Sequence, residues 1–321
     1  MRVKQTHIIS FAFGFFVPFL LFPVLKPKKL VNHSLYSKFC DISDPQYSGS
    51  SRRDVILFSA DSFHPGLELA VKTLRSAGSL CRVVILSSKP LKIPSKARKV
   101  FEQLDIEVRD NCSNNNRTRE YVPHMLRFEL EYQWLVENKN DVSRVFHSDA
   151  FDVMFQKDPF GPEITEDKVL FVLEPHVFRS CGWNLAWMKQ CYGEKVMGSL
   201  MNNFIICSGS ILGGAEPYTR FLKLMINQLE WKSCWGSSLD QPIVNYLVWT
   251  GLVEKANIKF DMTGCNGNYL TMQWCLLNQE VRFDDKNMII SEEGTAPAFV
   301  HQYNRNKTLT AWLNKRCGVY Y

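Results

Sequence analysis

Residues 54–60 read Asp54-Val55-Ile56-Leu57-Phe58-Ser59-Ala60 and residues 81–86 read Cys81-Arg82-Val83-Val84-Ile85-Leu86, two short, nearly continuous apolar runs. Runs of this length without polar alternation are expected of strands buried on both faces. Between them Leu67, Ala70, Val71 and Leu74 recur at helical spacing before a stop at Gly78. Residues 54–86 therefore read as a β-α-β unit.

Toward the carboxyl end the order repeats. A helix over about 96–104 leads to the strand Ile106-Glu107-Val108, a polar Asn/Arg loop at 111–119, a longer helix over 122–137, and the strand Arg144–Ser148, which ends in Asp149. Strands at 169–173 and 204–207 and helices at 216–230 and 239–250 follow. This alternation predicts an α/β sandwich with a mixed, mainly parallel central sheet. Ligands of such sheets bind beyond the carboxyl ends of the strands, so polar residues that follow strands are the functional candidates.

Toward the amino end the pattern is different. Residues 26–53 hold few large apolar residues and include Ser48-Gly49-Ser50-Ser51, as expected of a short stem. Before it, residues 8–25 (IISFAFGFFVPFLLFPVL) are uncharged and mostly apolar, and Arg2, Lys4, Lys26, Lys28 and Lys29 flank them. The run is long enough for a transmembrane signal-anchor helix across a thin bilayer, with residues 1–7 as a short cytoplasmic tail. A cleaved signal peptide is the competing reading, although no small residues mark a cleavage site at Pro23-Val24-Leu25. These flanks also explain the net charge of +6, since five of the excess basic residues lie there. The body, 54–321, is nearly neutral, which excludes a nucleic-acid partner on electrostatic grounds.

Four glycosylation sequons, at Asn32, Asn111, Asn116 and Asn306, lie beyond the apolar run. Ten cysteines without a zinc-type pair favour several disulfides in an oxidising compartment. Their pairing is not legible, and Cys207, inside an apolar run, fits a buried free thiol best. Together these features predict a lumenal body.

The segment with the clearest chemistry is Val145-Phe146-His147-Ser148-Asp149-Ala150-Phe151-Asp152, in which two carboxylates leave the end of a buried strand. In a continuing strand they would point to opposite faces, but a turn after Asp149 brings them together. Adjacent carboxylates repel and suit a shared hard cation, Mn²⁺ or Mg²⁺. The alternative is a turn cap at Asp149 and an ordinary solvated Asp152. No phosphate-binding Gly-rich loop, GxSxG, HExxH or GxGxxG occurs.

The string SDAFDVMFQKDPF at 148–160 resembles the strand-end acidic motif of nucleotide-sugar-dependent glycosyltransferases with the GT-A fold, which carry a DxD-type element before a VxFQxDPF-like segment. In the same order, CSGSILGG at 207–214 resembles that family's NSGxxxG strand and loop, LDQPIVN at 239–245 its DQxxxN helix opening, and VHQYNR at 300–305 its C-terminal HQYxR segment. The resemblance covers about residues 54–305 and implies a GT-A-like α/β/α sandwich.

It further implies that Asp149 and Asp152 hold a divalent cation on the diphosphate of the donor, with His301 as another metal or pyrophosphate contact. The pair here is spaced DxxD where the family has DxD. Asp240 would lie beside the sugar or acceptor as the catalytic carboxylate, supported by Gln241 and Asn245; it is equally placed to cap a helix. Ser208 and Gly209 would let the sugar approach the backbone, as would a tight turn without a ligand. Arg127 would reach a phosphate or lie on a solvated helix face, and Asp61 would hold the uridine end or cap a helix. Trp183, Trp187, Trp231 and Trp235 are candidates for stacking on sugars or for the core. The implied activity is metal-assisted transfer of a sugar from a nucleotide sugar, with UDP expected, to a hydroxyl of a glycan or glycoprotein by a single-pass type II protein of the Golgi or ER. A non-catalytic lumenal protein on the same scaffold, binding glycans or assisting a partner, is the alternative.

Overall fold

The two opening apolar runs do pair. Val55–Phe58 are wholly buried in β1 (Asp54–Ser59), which lies parallel to β2 (Arg82–Leu86), with Val55 opposite Arg82 and Ser59 opposite Leu86. The crossover between them is α1 (Pro65–Ser76), which starts at an N-cap on His64 and carries Pro65 where a missing N–H costs nothing. In the computed structural model the described residues are 39–42, 49–112, 123–228, 231, 234, 239–276 and 280–319, all within one unit, Asn32–Tyr321. The expected cytoplasmic tail and membrane segment, most of the stem, the sequons at Asn32 and Asn116, and Trp235 lie outside them. Among the described residues no helix is long and apolar enough to cross a membrane.

The chain continues through α2 (Ser95–Gln103), β3 (Ile106–Arg109), α3 (Pro123–Glu137), β4 (Arg144–Ser148), β5 (Val153–Phe155), β6 (Lys168–Val177), α4 (Gly182–Leu200, kinked at Gly193), β7 (Phe204–Gly214) and α5 (Ala215–Ile226). It ends with α6 (Gln241–Trp249), α7 (Leu252–Lys255), β8 (Lys259–Thr263), β9 (Tyr269–Thr271), α8 (Met272–Cys275), β10 (Arg282–Phe283), β11 (Ile289–Ile290), β12 (Phe299–His301) and α9 (Lys307–Cys317).

Seven strands form the central sheet in the order β3-β2-β1-β4-β7-β6-β8. Four of its pairings are parallel, and only β7, running against β4 and β6, is antiparallel. The expected mixed, mainly parallel sheet is therefore present. One face, with Val55, Leu57, Val145 and Phe171, packs on Phe128 and Trp134 of α3, Phe221 of α5 and Ile243 and Leu247 of α6. On the other face Phe146 meets Phe155, Tyr269 and Phe299 of a second sheet, ordered β5-β12-β9.

Two sequence expectations need correction, and a third stretch carried no expectation. Residues 208–214 were expected to leave the strand as a small-residue loop or turn, yet β7 runs on to Gly214. Pairing on both sides overrides the weak strand preference of serine and glycine. Glycine is needed because the neighbours approach closely: a Cβ on Gly214 would lie 1.9 Å from the Glu166 carbonyl oxygen. Second, part of the expected stem belongs to the body: Cys40 and Ile42 are buried against Leu309 and Leu313 of α9, and Cys40 is bridged to Cys317. The third stretch, 181–200, is mostly helical, although only its tryptophans had been noted.

Disulfides also join Cys191 to Cys234 and Cys265 to Cys275, while Cys81, Cys112, Cys181 and Cys207 are free. Cys207 is buried, as its apolar surroundings suggested.

Candidate metal and binding site

Every parallel strand from β1 to β4 points its carboxyl end to one edge of the sheet, and the antiparallel β7 brings its amino-terminal half to the same edge. Ser148 faces Ser210, so Asp149 emerges opposite Gly209 and its N–H donates to the Gly209 carbonyl at 2.9 Å. The chain turns and enters β5 at Val153, which pairs with His301 at the end of β12. Asp149, Asp152 and His301 thus converge from two sheets, with one ligand atom of each within 4.8 Å of the others. His301 Nε2 lies 3.0 Å from Asp149 Oδ2 and 3.6 Å from Asp152 Oδ1, while its Nδ1 faces Cys207 Sγ at 3.5 Å.

Two carboxylates and an imidazole form an oxygen and nitrogen donor set of the kind that holds a metal ion. The backbone leaves space for them. A Cβ on Gly209 would stand 2.4 Å from Asp149 Oδ2 and 2.8 Å from His301 Cε1, so only glycine keeps these ligands where they are.

Arg127 is not on a solvated helix face. It is buried under α3, where Nη1 contacts Asp149 Oδ1 and Nη2 donates to Asp240 Oδ2 at 2.6 Å, while Nε has no hydrogen-bond partner. Burial disfavours its charge, but Asp149 and Asp240 outweigh that and raise its pKa. Burial likewise pushes the Asp149 carboxyl up, and the Arg127 charge with the His301 contact hold it well below the usual carboxylate range. Asp152 is raised by burial and by the charge of Asp149. For His301, burial is outweighed by Cys207 and by the Asp152 and Asp149 carboxylates, which hold the imidazole well above its ordinary value.

Asp240 is a helix cap: Oδ1 caps α6 by accepting from Gln241 N at 2.8 Å, and Oδ2 takes Arg127. Gln241 Oε1 accepts from Ser208 N and Oγ at 3.2 and 3.3 Å, and its Nε2 donates to Asn184 Oδ1. Asn245 fixes β7 by accepting from Ile206 N and donating to Ile206 O. Asp61 does not cap α1. Its carboxylate accepts from Ser87 Oγ, Ser88 N and Ser88 Oγ, which ties the end of β1 to the end of β2.

No protein-family model matches this chain, and no curated protein matches it. The chemistry of the site therefore rests on its own residues. Trp231 is a core residue whose Nε1 donates to Glu129, and Trp187 is partly buried, but Trp183 is 73% exposed at the start of α4, beside Asn184.

Two features escaped the sequence reading. His147 is wholly buried between Glu131, whose oxygens lie 2.7 and 2.9 Å from Nδ1, and the Ser208 carbonyl at 2.9 Å from Nε2. Tyr218 donates to the same Glu131, and the chain of contacts braces β7 beside the ligands. The other is Glu174, near the carboxyl end of β6: it is 4% exposed, its Oε2 has no hydrogen-bond partner, and that oxygen lies 3.6 Å from His176 Nε2. Burial pushes its carboxyl up to about 7, against the opposing pull of His301 and the Gln241 amide. Glu174 directly follows the apolar run 169–173, so the rule for polar residues after strands applies to it too.

Proposed function

We propose that this chain is a divalent-metal-assisted glycosyltransferase of the GT-A type, which moves a sugar from a UDP-sugar to a hydroxyl of a glycan or glycoprotein. In this reading it is a type II protein of the Golgi or ER, with residues 8–25 as its anchor. The observation that carries the proposal is the Asp149–Asp152–His301 cluster at the carboxyl edge of the parallel strands. Those three residues would hold the ion, which when bound offsets the negative charge that gathers on the leaving diphosphate.

The surrounding residues support the same chemistry. Arg127 keeps a permanent positive charge beside Asp149 and so lowers the repulsion within the acidic cluster. Ser208 and Gly209 present backbone at close range, while Gln241 holds the Ser208 hydroxyl. Trp183 offers an exposed ring of the kind that stacks on sugars.

Thermal unfolding of the full chain with UDP, with MnCl₂ and with both tests the reading. Only the combination should stabilise the protein, by about 2.7 kcal/mol at a ligand concentration a hundred times Kd. Asp149→Asn and Asp152→Asn should each abolish that gain. If both variants respond to UDP and Mn²⁺ as the wild type does, the metal site is wrong. Binding without UDP release from any donor in a UDP-sugar panel would assign the non-catalytic role instead.

A further inference from the structure

A transferase of this kind has to remove a proton from the incoming hydroxyl, and the geometry around Asp240 leaves that task elsewhere. Its two oxygens are committed to Arg127 and to the α6 N-terminus, and Arg127 gives it a permanent countercharge. Asp149 faces Arg127 on Oδ1, and in the reading above its carboxylate holds the ion. Asp61 is spent on the two serines after β2.

Glu174 is different. It enters from β6, the strand on the far side of β7 from β4, at the edge where Asp149 emerges. The groups that face it are His176 on its own strand, Gln241 at the start of α6 and His301 from β12. A nearly buried carboxyl oxygen without a partner is costly unless something binds to it.

We propose that Glu174 is the proton acceptor of the transfer reaction, taking the hydroxyl of the acceptor molecule on Oε2. This rests on the glycosyltransferase reading above. The acceptor oxygen forms a bond to the anomeric carbon of the sugar as the bond from that carbon to the β-phosphate oxygen breaks. The electron pair of the broken bond leaves with UDP, and the hydroxyl proton passes to Glu174 and then to solvent. Direct displacement of this kind inverts the anomeric carbon. Gln241 donates to Asn184 at the start of α4, and the preceding residue, Trp183, is exposed.

The test uses the full chain, Mn²⁺ and UDP-glucose, UDP-galactose and UDP-N-acetylglucosamine, with UDP release to acceptor or water as readout. Glu174→Gln should keep the wild-type melting response to UDP plus Mn²⁺ and lose turnover by about 10²–10⁴-fold. Glu174→Ala should lose as much and recover part of it in formate, which supplies the missing carboxylate. Wild-type turnover in Glu174→Gln, loss of UDP binding along with turnover, or no formate recovery in Glu174→Ala would each overturn the role. If wild-type protein itself neither binds UDP with Mn²⁺ nor releases UDP, the glycosyltransferase reading falls and takes this role with it, an outcome distinct from the other three.

Discussion

A carboxyl with one unpartnered oxygen at 4% exposure is costly to charge, and Glu174 therefore links stability to pH. Its folded pKa, about 7, lies above the ordinary 4.5. Between those values the folded chain binds the proton that the unfolded chain has lost, so stability falls as pH rises through this window. The shift corresponds to at most about 3 kcal/mol. Glu174→Gln removes the titration. Urea unfolding at pH 5 and pH 8 should show the variant gaining on the wild type by up to that amount at the higher pH; an equal difference at both values would contradict the burial argument. At the same scale, Asp149 and Asp152 were legible because two carboxylates left an apolar strand together. Glu174 stood alone after such a strand, and nothing local showed that it would be buried with one oxygen lacking a hydrogen bond.

Among the elements, α3 holds the site together through one side chain. Arg127 joins Asp149, at the end of β4, to Asp240, at the start of α6. Arg127→Met would leave Asp240 buried without its countercharge and Asp149 with His301 alone. Breaking a buried pair from one side costs about 3–5 kcal/mol, so the melting temperature should drop by several degrees and UDP–Mn²⁺ binding should weaken. An unchanged melting temperature would show that the two carboxylates find other partners. Periodicity placed α3, but its solvated-face alternative for Arg127 failed because the partners lie 22 and 113 residues away. The same holds for β7. Its serines and glycines look like a turn in isolation, and they form a strand because β4 and β6 pair with it from both sides.

For the whole molecule, the Cys40–Cys317 bridge closes a loop of 277 residues and binds a stretch expected to be a free stem to α9. Replacing both cysteines with serine should lower stability by about 2–4 kcal/mol, measured by urea unfolding, because the open chain gains conformational freedom when unfolded. No loss would mean that the packing of Ile42 alone keeps this segment in place. The strands β1 to β4, their crossovers and the acidic pair were determined by the sequence, since each depends on hydrophobic period or on charge within a few residues. The resemblance had already grouped His301 with Asp149 and Asp152, whereas the antiparallel course of β7, the disulfide pairing and the burial of Arg127 were decided only by the tertiary structure. They depend on contacts between segments far apart in the chain, and such contacts leave no local period to read.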